Sequence, residues 1–148
     1  MPQLSMQSPV GALTLSEEDG AIVAVDWGWG RDQQATPLLE RARAQLEAYF
    51  DGAARAFDLP FRPRGTPFQQ RVWQAMRAIP YGRTETYGEL AARSGGIARA
   101  VGTACGANPI PILIPCHRVV ARGGLGGYSG DGGVDTKVAL LRLEGVLL

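Results

Sequence analysis

The sequence predicts an α+β protein, in which a small N-terminal antiparallel sheet with one helix precedes a mainly helical C-terminal part that contains a helix-turn-helix. Two short runs, GALTLS and AIVAVDWG, are rich in β-branched and apolar residues and are joined by the turn-forming EEDG, which predicts a β-hairpin. Five later segments carry helix start and stop signals, and two of these are separated only by a glycine turn.

The N-terminal helix is predicted to begin with Thr36 as N-cap and Pro37 at its first position, and to end at Gly52. Its apolar face is formed by Leu38, Leu39, Ala42, Leu46, Tyr49 and Phe50. The run AFDLP (56–60) is predicted to be a further strand. The Pro- and Gly-containing FRPRG (61–65) marks a boundary, which divides the chain into domains 1–62 and 63–148.

The second domain opens with a capping box in which Thr66 and Gln69 flank Pro67, and this helix runs to Pro80. A second capping box, TYGE at 86–89, begins a short helix that ends near Gly95-Gly96. The helix IARAVGTACG follows at once, a pattern typical of a helix-turn-helix and equally of a plain helical hairpin. A last helix is predicted from a cap at Asp135 to Gly145.

Composition narrows the class of protein. The 148 residues are 45% hydrophobic and 20% charged, which suits one medium or two small domains with a real core and excludes a disordered chain. No run of 18 apolar residues indicates a membrane span, and the N-terminus lacks the features of a secretion signal. Two cysteines and one histidine are too few for a structural zinc site, so we expect no metal and a reduced, cytoplasmic protein.

Charge is distributed unevenly along the chain. Residues 1–66 hold six Arg against nine Asp or Glu, whereas residues 67–148 hold eight Arg and one Lys against five acids. The C-terminal part therefore carries a net charge of +4, which attracts phosphate backbones, although many solvated surfaces reach this value.

The stretch PILIPCHRVV (111–120) places a Cys, the only His and an Arg inside an apolar run. Cys116 is either a small buried hydrophobe or a nucleophile, since a thiolate is activated by a nearby imidazole. Adjacent side chains usually diverge, so His117 would act through a bridging water and would need a carboxylate to orient it. Among the acids of the second domain, Glu144 is the one least explained by a local role.

IPCHRVV, preceded by NPIPI and followed by GYSG, resembles the active-site signature of the O6-alkylguanine-DNA alkyltransferases (methylated-DNA–protein-cysteine methyltransferases). The similarity extends through FQQRVWQAMRAIPYGRTETYGELA and ARAVGTACGANP and covers residues 67–145 densely, while SPVGALTL and LEAYFDG resemble the family's N-terminal domain more loosely. The resemblance implies an RNase H-like N-terminal domain and a winged-helix-like C-terminal domain. It implies no cofactor, and we expect a monomer.

The resemblance also implies residue roles. Cys116 would accept the alkyl group, with His117 as water-mediated base and Glu144 as its partner. Tyr87 would protonate guanine N3, and Asn108 would link the recognition helices to the active-site segment. Arg99 would replace the extruded nucleotide in the base stack, on a helix whose close approach to DNA is allowed by Ala98, Ala100 and Gly102. The substrate pocket would be formed by the Cys116 and Val119 carbonyls, the Ser129 N–H, Tyr128 and Pro111.

The activity implied is DNA repair, because a damaged base must be flipped out of double-stranded DNA to reach such a pocket. An O6-alkylguanine, and by the same implication an O4-alkylthymine, would transfer its alkyl group irreversibly to Cys116, one turnover per molecule. The alternative from the same family is a non-catalytic protein that only binds alkylated bases. A Cys-dependent hydrolase is a third possibility, although its His would normally lie far from the Cys in sequence.

Overall fold

The structure, a computed structural model, describes residues 1–147 and divides the chain into two compact units, Met1–Arg64 and a second that begins at Gly65. The α+β class is confirmed, with a three-stranded sheet and one helix in the first unit and mainly helices in the second. The predicted domain boundary between residues 62 and 63 stays a prediction.

The first unit contains an antiparallel sheet in the order β1 (Gln3–Met6), β2 (Leu13–Glu18) and β3 (Ala21–Trp27). The hairpin of β2 and β3 confirms the prediction, and its pairing is shifted by a bulge between Ser16 and Glu17. Strand β1 was not predicted, because QLSM is only four residues long and contains no β-branched or aromatic residue. It pairs with β2 through partners such as Leu4 and Leu15.

Helix α1 (Pro37–Phe50) packs against this sheet with a face of fully buried side chains, Leu39, Ala42, Leu46 and Tyr49. Thr36 caps it as predicted, its Oγ1 accepting from the Leu39 N–H at 3.0 Å. Gly52 follows the helix at a φ of +77°, a conformation that glycine adopts without strain.

The predicted strand at AFDLP is wrong. Only Phe61, just beyond it, forms an isolated parallel bridge with Ile22. Ile22 donates its N–H to the Pro60 carbonyl at 2.8 Å and accepts from the Arg62 N–H at 2.9 Å. Pro60 has no N–H group with which to extend the ladder back into AFDLP, so pairing there stops after one step.

The second unit begins with three helices that pack on one another, α2 (Pro67–Arg77), α3 (Tyr87–Ser94) and α4 (Ala98–Gly106). Both predicted capping boxes are confirmed, at Thr66 with Gln69 and at Thr86 with Glu89. The turn between α3 and α4 contains Gly95 and Gly96, both at positive φ. A side chain at Gly96 would meet the Phe68 ring at 2.8 Å, so the turn lies directly against α2.

The remaining elements lie around the Cys-His-Arg motif. Strand β4 (Glu85–Thr86) pairs in parallel with β5 (Val119–Val120), and a 3₁₀ turn (Cys116–Arg118) immediately precedes β5. Helix α5 (Val134–Leu143) is followed by Glu144 as its C-cap and by Gly145 at a φ of +79°.

The predicted cap of α5 at Asp135 is wrong, because the helix begins at Val134 and its N-cap is Gly133, two residues before Asp135. Asp135 therefore lies in the first turn, where a carboxylate still interacts favourably with the helix dipole. None of the helices within residues 1–147 is long and apolar enough to cross a membrane.

Candidate active site

Two tight turns shape the segment that leads into Cys116. Ile112 adopts a φ of +70°, rare for a β-branched residue, while the Leu113 N–H donates to the Pro111 carbonyl at 2.8 Å. Pro115 follows at φ −83° and ψ 68°, and the Cys116 N–H donates to the Ile114 carbonyl at 2.9 Å. These turns place Cys116 as the first residue of the 3₁₀ turn, with its side chain buried.

Asn108 ties this segment to the end of helix α4. Its Nδ2 donates to the Ile114 carbonyl at 2.9 Å, and its Oδ1 accepts from the Ile110 N–H at the same distance. Its side chain also hydrogen-bonds the Cys116 sulfur in a way that favours the thiolate and so opposes the rise in the pKa of Cys116. Asn108 thus ties the segment that carries Cys116 to the end of α4 and favours the ionised form of its sulfur.

Glu144 lies buried at the centre of a charged cluster. His117 Nε2 donates to one carboxylate oxygen at 2.6 Å, while Arg118 Nε donates to the other at 2.8 Å and Nη2 to the first at 3.0 Å. Arg118 also donates from Nη1 to the Ile79 carbonyl at 2.8 Å. The guanidinium balances the charge of the buried carboxylate. A buried carboxylate without such a partner would be strongly destabilising.

The hydrogen bond to Glu144 sets the tautomer of His117. With the proton on Nε2, the lone pair of the imidazole is on Nδ1, which is buried and has no hydrogen-bond partner within residues 1–147. His117 is fully buried, and burial lowers its pKa below the ordinary 6.5 although the contact with Glu144 opposes this. The side chain is therefore a neutral imidazole with a free basic nitrogen.

Burial also dominates the chemistry of the thiol. It raises the pKa of Cys116, while hydrogen bonding from Asn108, the charge of Lys137 and hydrogen bonding from Tyr128 oppose it. The resting residue is thus a thiol whose ionised form is favoured by three neighbours, and a base that removes its proton on demand would complete the activation.

A cavity of about 410 Å³ opens onto Cys116. Of the residues predicted for the site, Tyr87, Gly102, Cys116, Tyr128 and Ser129 line it, together with Cys105, Gly106 and Gly127. Val119 and Pro111 are buried in the neighbouring segment but are not among the residues that line the cavity, so their place in the pocket stays a prediction. A volume of this size suits a purine base with a small substituent.

Tyr87 lies at the first position of α3, directly after β4, and its ring is enclosed by two glycines. A Cβ on Gly126 would meet the Tyr87 hydroxyl and Cε2 at 3.0 Å, and one on Gly102 would meet the other ring edge at 3.8 Å. Burial raises the pKa of Tyr87, so the hydroxyl keeps its proton at neutral pH and can donate it.

Helix α4 presents small residues and one cation to solvent. Ala98 and Arg99 are exposed, and Ala100 and Gly102 are half-buried. The Arg99 side chain forms no hydrogen bond or ion pair with any other residue of 1–147. An unpaired guanidinium on a helix with a low surface profile can enter a nucleic-acid groove.

Two residues near the site were not among those predicted for it. Lys137 donates from Nζ to the Val119 carbonyl at 2.7 Å and to the Gly127 carbonyl at 3.0 Å. Its signal in the sequence is its rarity, as the chain's only lysine, and its place seven residues before Glu144. Cys105 lines the cavity, and burial raises its pKa to about 12, so it stays a thiol.

Comparison with known proteins identifies the family to which the chain is similar. Residues 67–146 match the model of the 6-O-methylguanine DNA methyltransferase DNA-binding domain, and residues 4–63 match that of its ribonuclease-like domain. The methylated-DNA–protein-cysteine methyltransferase of Methanosarcina acetivorans is 42% identical over 94% of this chain and 95% of its own. The constitutive enzyme of Bacillus subtilis is 40% identical over 93% and 92%, respectively.

Solved structures show the same similarity. The crystal structure of Mycobacterium tuberculosis O6-methylguanine methyltransferase superposes with a TM-score of 0.86 at 42% identity, covering 97% of this chain and 92% of that one. A crystal structure of the M. tuberculosis protein in complex with DNA has the same identity and coverage and a TM-score of 0.88. With both family models in order, this chain belongs to the methylated-DNA–protein-cysteine methyltransferase family.

Proposed function

We propose that this protein repairs double-stranded DNA by transferring the alkyl group of an O6-alkylguanine to its own Cys116, once per molecule. The observation that carries the proposal is the buried Glu144–His117 pair, joined at 2.6 Å, whose histidine directly follows the cysteine that opens onto the cavity. Family membership supplies the reaction, and this cluster supplies the group that activates the thiol.

The first step is loss of the thiol proton. Glu144 holds the Nε2 proton of His117, so Nδ1 takes the proton from Cys116 through a bridging water and the imidazole becomes a cation beside the buried carboxylate. Arg118 keeps Glu144 ionised and oriented throughout. Asn108 and Tyr128 stabilise the thiolate that results.

The second step is an in-line displacement at the alkyl carbon. The thiolate forms a C–S bond as the C–O6 bond breaks, and the electron pair passes into the purine. Tyr87 donates its hydroxyl proton to N3, so neutral guanine leaves. The proton that His117 took from Cys116 then returns to Tyr87 through solvent, which restores both groups. The thioether at Cys116 has no hydrolytic route back, which makes the protein a reagent consumed in one turnover.

The guanine is held by backbone groups of the catalytic segment. The Cys116 carbonyl already accepts from the Val119 N–H, and the Val119 carbonyl from Lys137, so each retains one lone pair for the guanine amino group. The Ser129 N–H would donate to O6, and the Tyr128 ring would cover one face of the base. These contacts orient the alkyl carbon toward the sulfur.

Access to the cavity requires that the nucleotide leave the duplex. Arg99, exposed and unpaired within the described part of the chain, would fill the stack in its place, while Ala98, Ala100 and Gly102 permit close approach of α4 to the minor groove. Affinity would come from phosphate contacts and not from base-edge readout, as suits a protein that reads damage.

One experiment separates this function from its alternatives. The protein is mixed with an equimolar duplex carrying one O6-methylguanine, and intact mass is followed with time. A stable gain of one methylene per protein, with unmodified guanine returned to the DNA, supports the transferase. An unchanged mass with tight binding to the lesion would support the non-catalytic binder, and turnover of an ester or amide would support a hydrolase.

We also propose the cytoplasm as its location and a monomer as its working form. Both cysteines are free, buried thiols, the state expected in a reducing compartment where DNA is the substrate.

A further inference from the structure

Lys137 is a rare kind of residue in this chain. It is the only lysine among 15 basic side chains, and its exposed fraction is 0%. A buried ammonium costs free energy unless its donors are satisfied. Two of its three donors are satisfied by the Val119 carbonyl at 2.7 Å and the Gly127 carbonyl at 3.0 Å.

The two carbonyls belong to two different segments, each of which carries residues that line the cavity. Val119 directly follows the 3₁₀ turn that carries Cys116, while Gly127 directly precedes Tyr128 and Ser129 in the glycine-rich loop. Between them, residues 121–126 contain two glycines at positive φ, Gly123 and Gly126, and no helix or strand fixes their position. Lys137 thus connects the nucleophile's segment to the loop that covers the base.

Helix α5 supplies both polar anchors of the site. Lys137 and Glu144 are seven residues apart, two helical turns, and so lie on the same side of α5. Glu144 fixes His117 and Arg118. Lys137 fixes Val119, the next residue, and Gly127 in the glycine-rich loop. One rigid element therefore determines the positions of the base, the nucleophile and the pocket rim.

The charge of Lys137 acts on the same site. It favours the thiolate of Cys116. Burial lowers the pKa of Lys137, and the charges of Cys116 and Cys105, when these are ionised, oppose this. The ammonium also lies 5.9 Å from the centre of the Tyr87 ring. An arginine would not serve equally, because its larger, planar guanidinium holds its donors in a fixed fork, whereas the compact ammonium can rotate its three donors toward the two carbonyls.

We propose that Lys137 is a positioning residue for alkyl transfer, which clamps the Cys116 segment to the Tyr128–Ser129 loop and places one positive charge beside the thiolate. This inference rests on the proposed function. It assigns Lys137 no contact with the alkyl group and no proton transfer.

The test compares Lys137→Met, which keeps the stem and removes charge and donors, with Lys137→Arg, which keeps the charge and alters the donors. Transfer rates are measured with free O6-benzylguanine and with methylated duplex as a function of pH, alongside DNA affinity and thermal melting. For Lys137→Met we expect a loss of about 10- to 100-fold at neutral pH on both substrates, partly recovered at alkaline pH, and unchanged DNA affinity. Lys137→Arg should lose rate without a shift of the pH profile.

A purely structural lysine would lower the melting midpoint of Lys137→Met and leave the pH profile of its folded fraction unchanged, which would overturn the proposal. Equal transfer rates in the wild type and Lys137→Met would also overturn the proposal for Lys137. This result would leave the proposed function intact. Wild-type protein that transfers nothing would refute the function itself, and this inference with it.

A measurement on unaltered sequence covers the case in which Lys137→Met does not fold. Protein labelled with ¹⁵N at the lysine side chain gives one ζ-nitrogen signal, because there is one lysine. Benzylation of Cys116 abolishes the ionisation of its sulfur, and the charge of the ionised sulfur raises the pKa of Lys137. We therefore expect this signal to shift and its titration to move to lower pH. An identical signal and titration before and after benzylation would contradict the proposal.

Discussion

At the scale of single residues, the active site is organised by how Glu144 is shared. A buried carboxylate paired only with an imidazole would draw a proton onto that imidazole and leave no base. Arg118 supplies a permanent positive charge through two hydrogen bonds, so Glu144 is neutralised while His117 remains a neutral base. In the proposed mechanism, the adjacent Cys-His-Arg thus divides the work into nucleophile, base and charge balance.

Asn108 tests how the thiol is activated. Its hydrogen bond to the sulfur favours the thiolate, and burial raises the pKa of Cys116, so the reactive fraction grows as pH rises toward that pKa. Asn108→Ala should raise the pKa further and reduce benzyl transfer from free O6-benzylguanine about 10-fold at neutral pH, with recovery at higher pH. Stopped reactions analysed across a pH series would measure it.

Asn108→Asp is the matched control, because it keeps the oxygen that accepts from Ile110 and loses the donor. Its negative charge should displace the profile further toward alkaline pH. Two profiles that coincide with that of the wild type would mean that Asn108 acts only on the fold.

Arg99 tests base flipping. Arg99→Ala should slow repair of methylated duplex at least about 10-fold while leaving the reaction with free O6-benzylguanine unchanged, since a free base needs no extrusion. Arg77→Ala, which removes an arginine from the last turn of α2, provides a comparison of net charge. Equal slowing on both substrates would move Arg99 from flipping to folding.

At the scale of elements, the sequence predicted most of the second unit and less of the first. The starts of helices α2 and α3 could be predicted from two capping boxes. The hydrogen bonds of a capping box join residues only three apart, so the pattern can be recognised in the sequence. Strand β1 exists only because β2 pairs with it, and the AFDLP segment fails as a strand because Pro60 removes a donor. Non-local pairing of this kind leaves little trace in a short segment.

The site shows the same division. Glu144 could be singled out because no local role explained it, and the structure places it on His117. Lys137 was missed because a lysine in a helix is normally a solvated charge, and only the three-dimensional path of the glycine-rich loop brings Val119 and Gly127 to its ammonium. The proximity of Cys105 to the pocket likewise depends on tertiary packing.

The glycine-rich loop should be sensitive at one position in particular. Gly126→Ala would force a Cβ against the Tyr87 hydroxyl at 3.0 Å, at a φ of +73°. We expect transfer to fall about 10-fold or more on both free base and DNA, because Tyr87 must shift from the place where it donates to N3. Single-turnover rates would show it.

Gly123→Ala controls for backbone strain alone, since Gly123 has a φ of +81° and its Cβ would meet nothing within 4 Å. Gly123→Ala should destabilise the loop about as much as Gly126→Ala does and leave the transfer rate near that of the wild type. If the two variants lose equal activity, the contact with Tyr87 is not the cause.

At the scale of the whole molecule, the site and the recognition helices share one hydrogen-bonded connection. Asn108, just beyond α4, bonds the Ile114 carbonyl two residues before Cys116, and the Cys116 segment is buried almost throughout. Although a cavity opens onto Cys116, we expect an alkyl group on the sulfur to displace neighbours packed around this segment, which typically costs about 1–3 kcal/mol. The modified sulfur also loses the hydrogen bonds that favour a thiolate.

Alkylation should consequently weaken the second unit as a whole. We expect the methylated protein to melt a few degrees below the free protein and the benzylated protein lower still, since about 1 kcal/mol corresponds to roughly 4 °C in a domain of this size. Matched thermal melts of the three forms would measure the order. An unchanged or raised midpoint after benzylation would show that the cavity accommodates the group without strain.

The most direct test of the account asks which cysteine receives the alkyl group. Wild-type, Cys116→Ala and Cys105→Ser proteins are each reacted with excess methylated duplex, digested and mapped by peptide mass, with DNA affinity measured in parallel. We predict one methyl group on the Cys116 peptide in the wild type and in Cys105→Ser, and none in Cys116→Ala, which still binds DNA. Methylation of Cys116→Ala at any residue, or loss of transfer in a folded Cys105→Ser protein, would contradict the assignment of Cys116 as the sole acceptor.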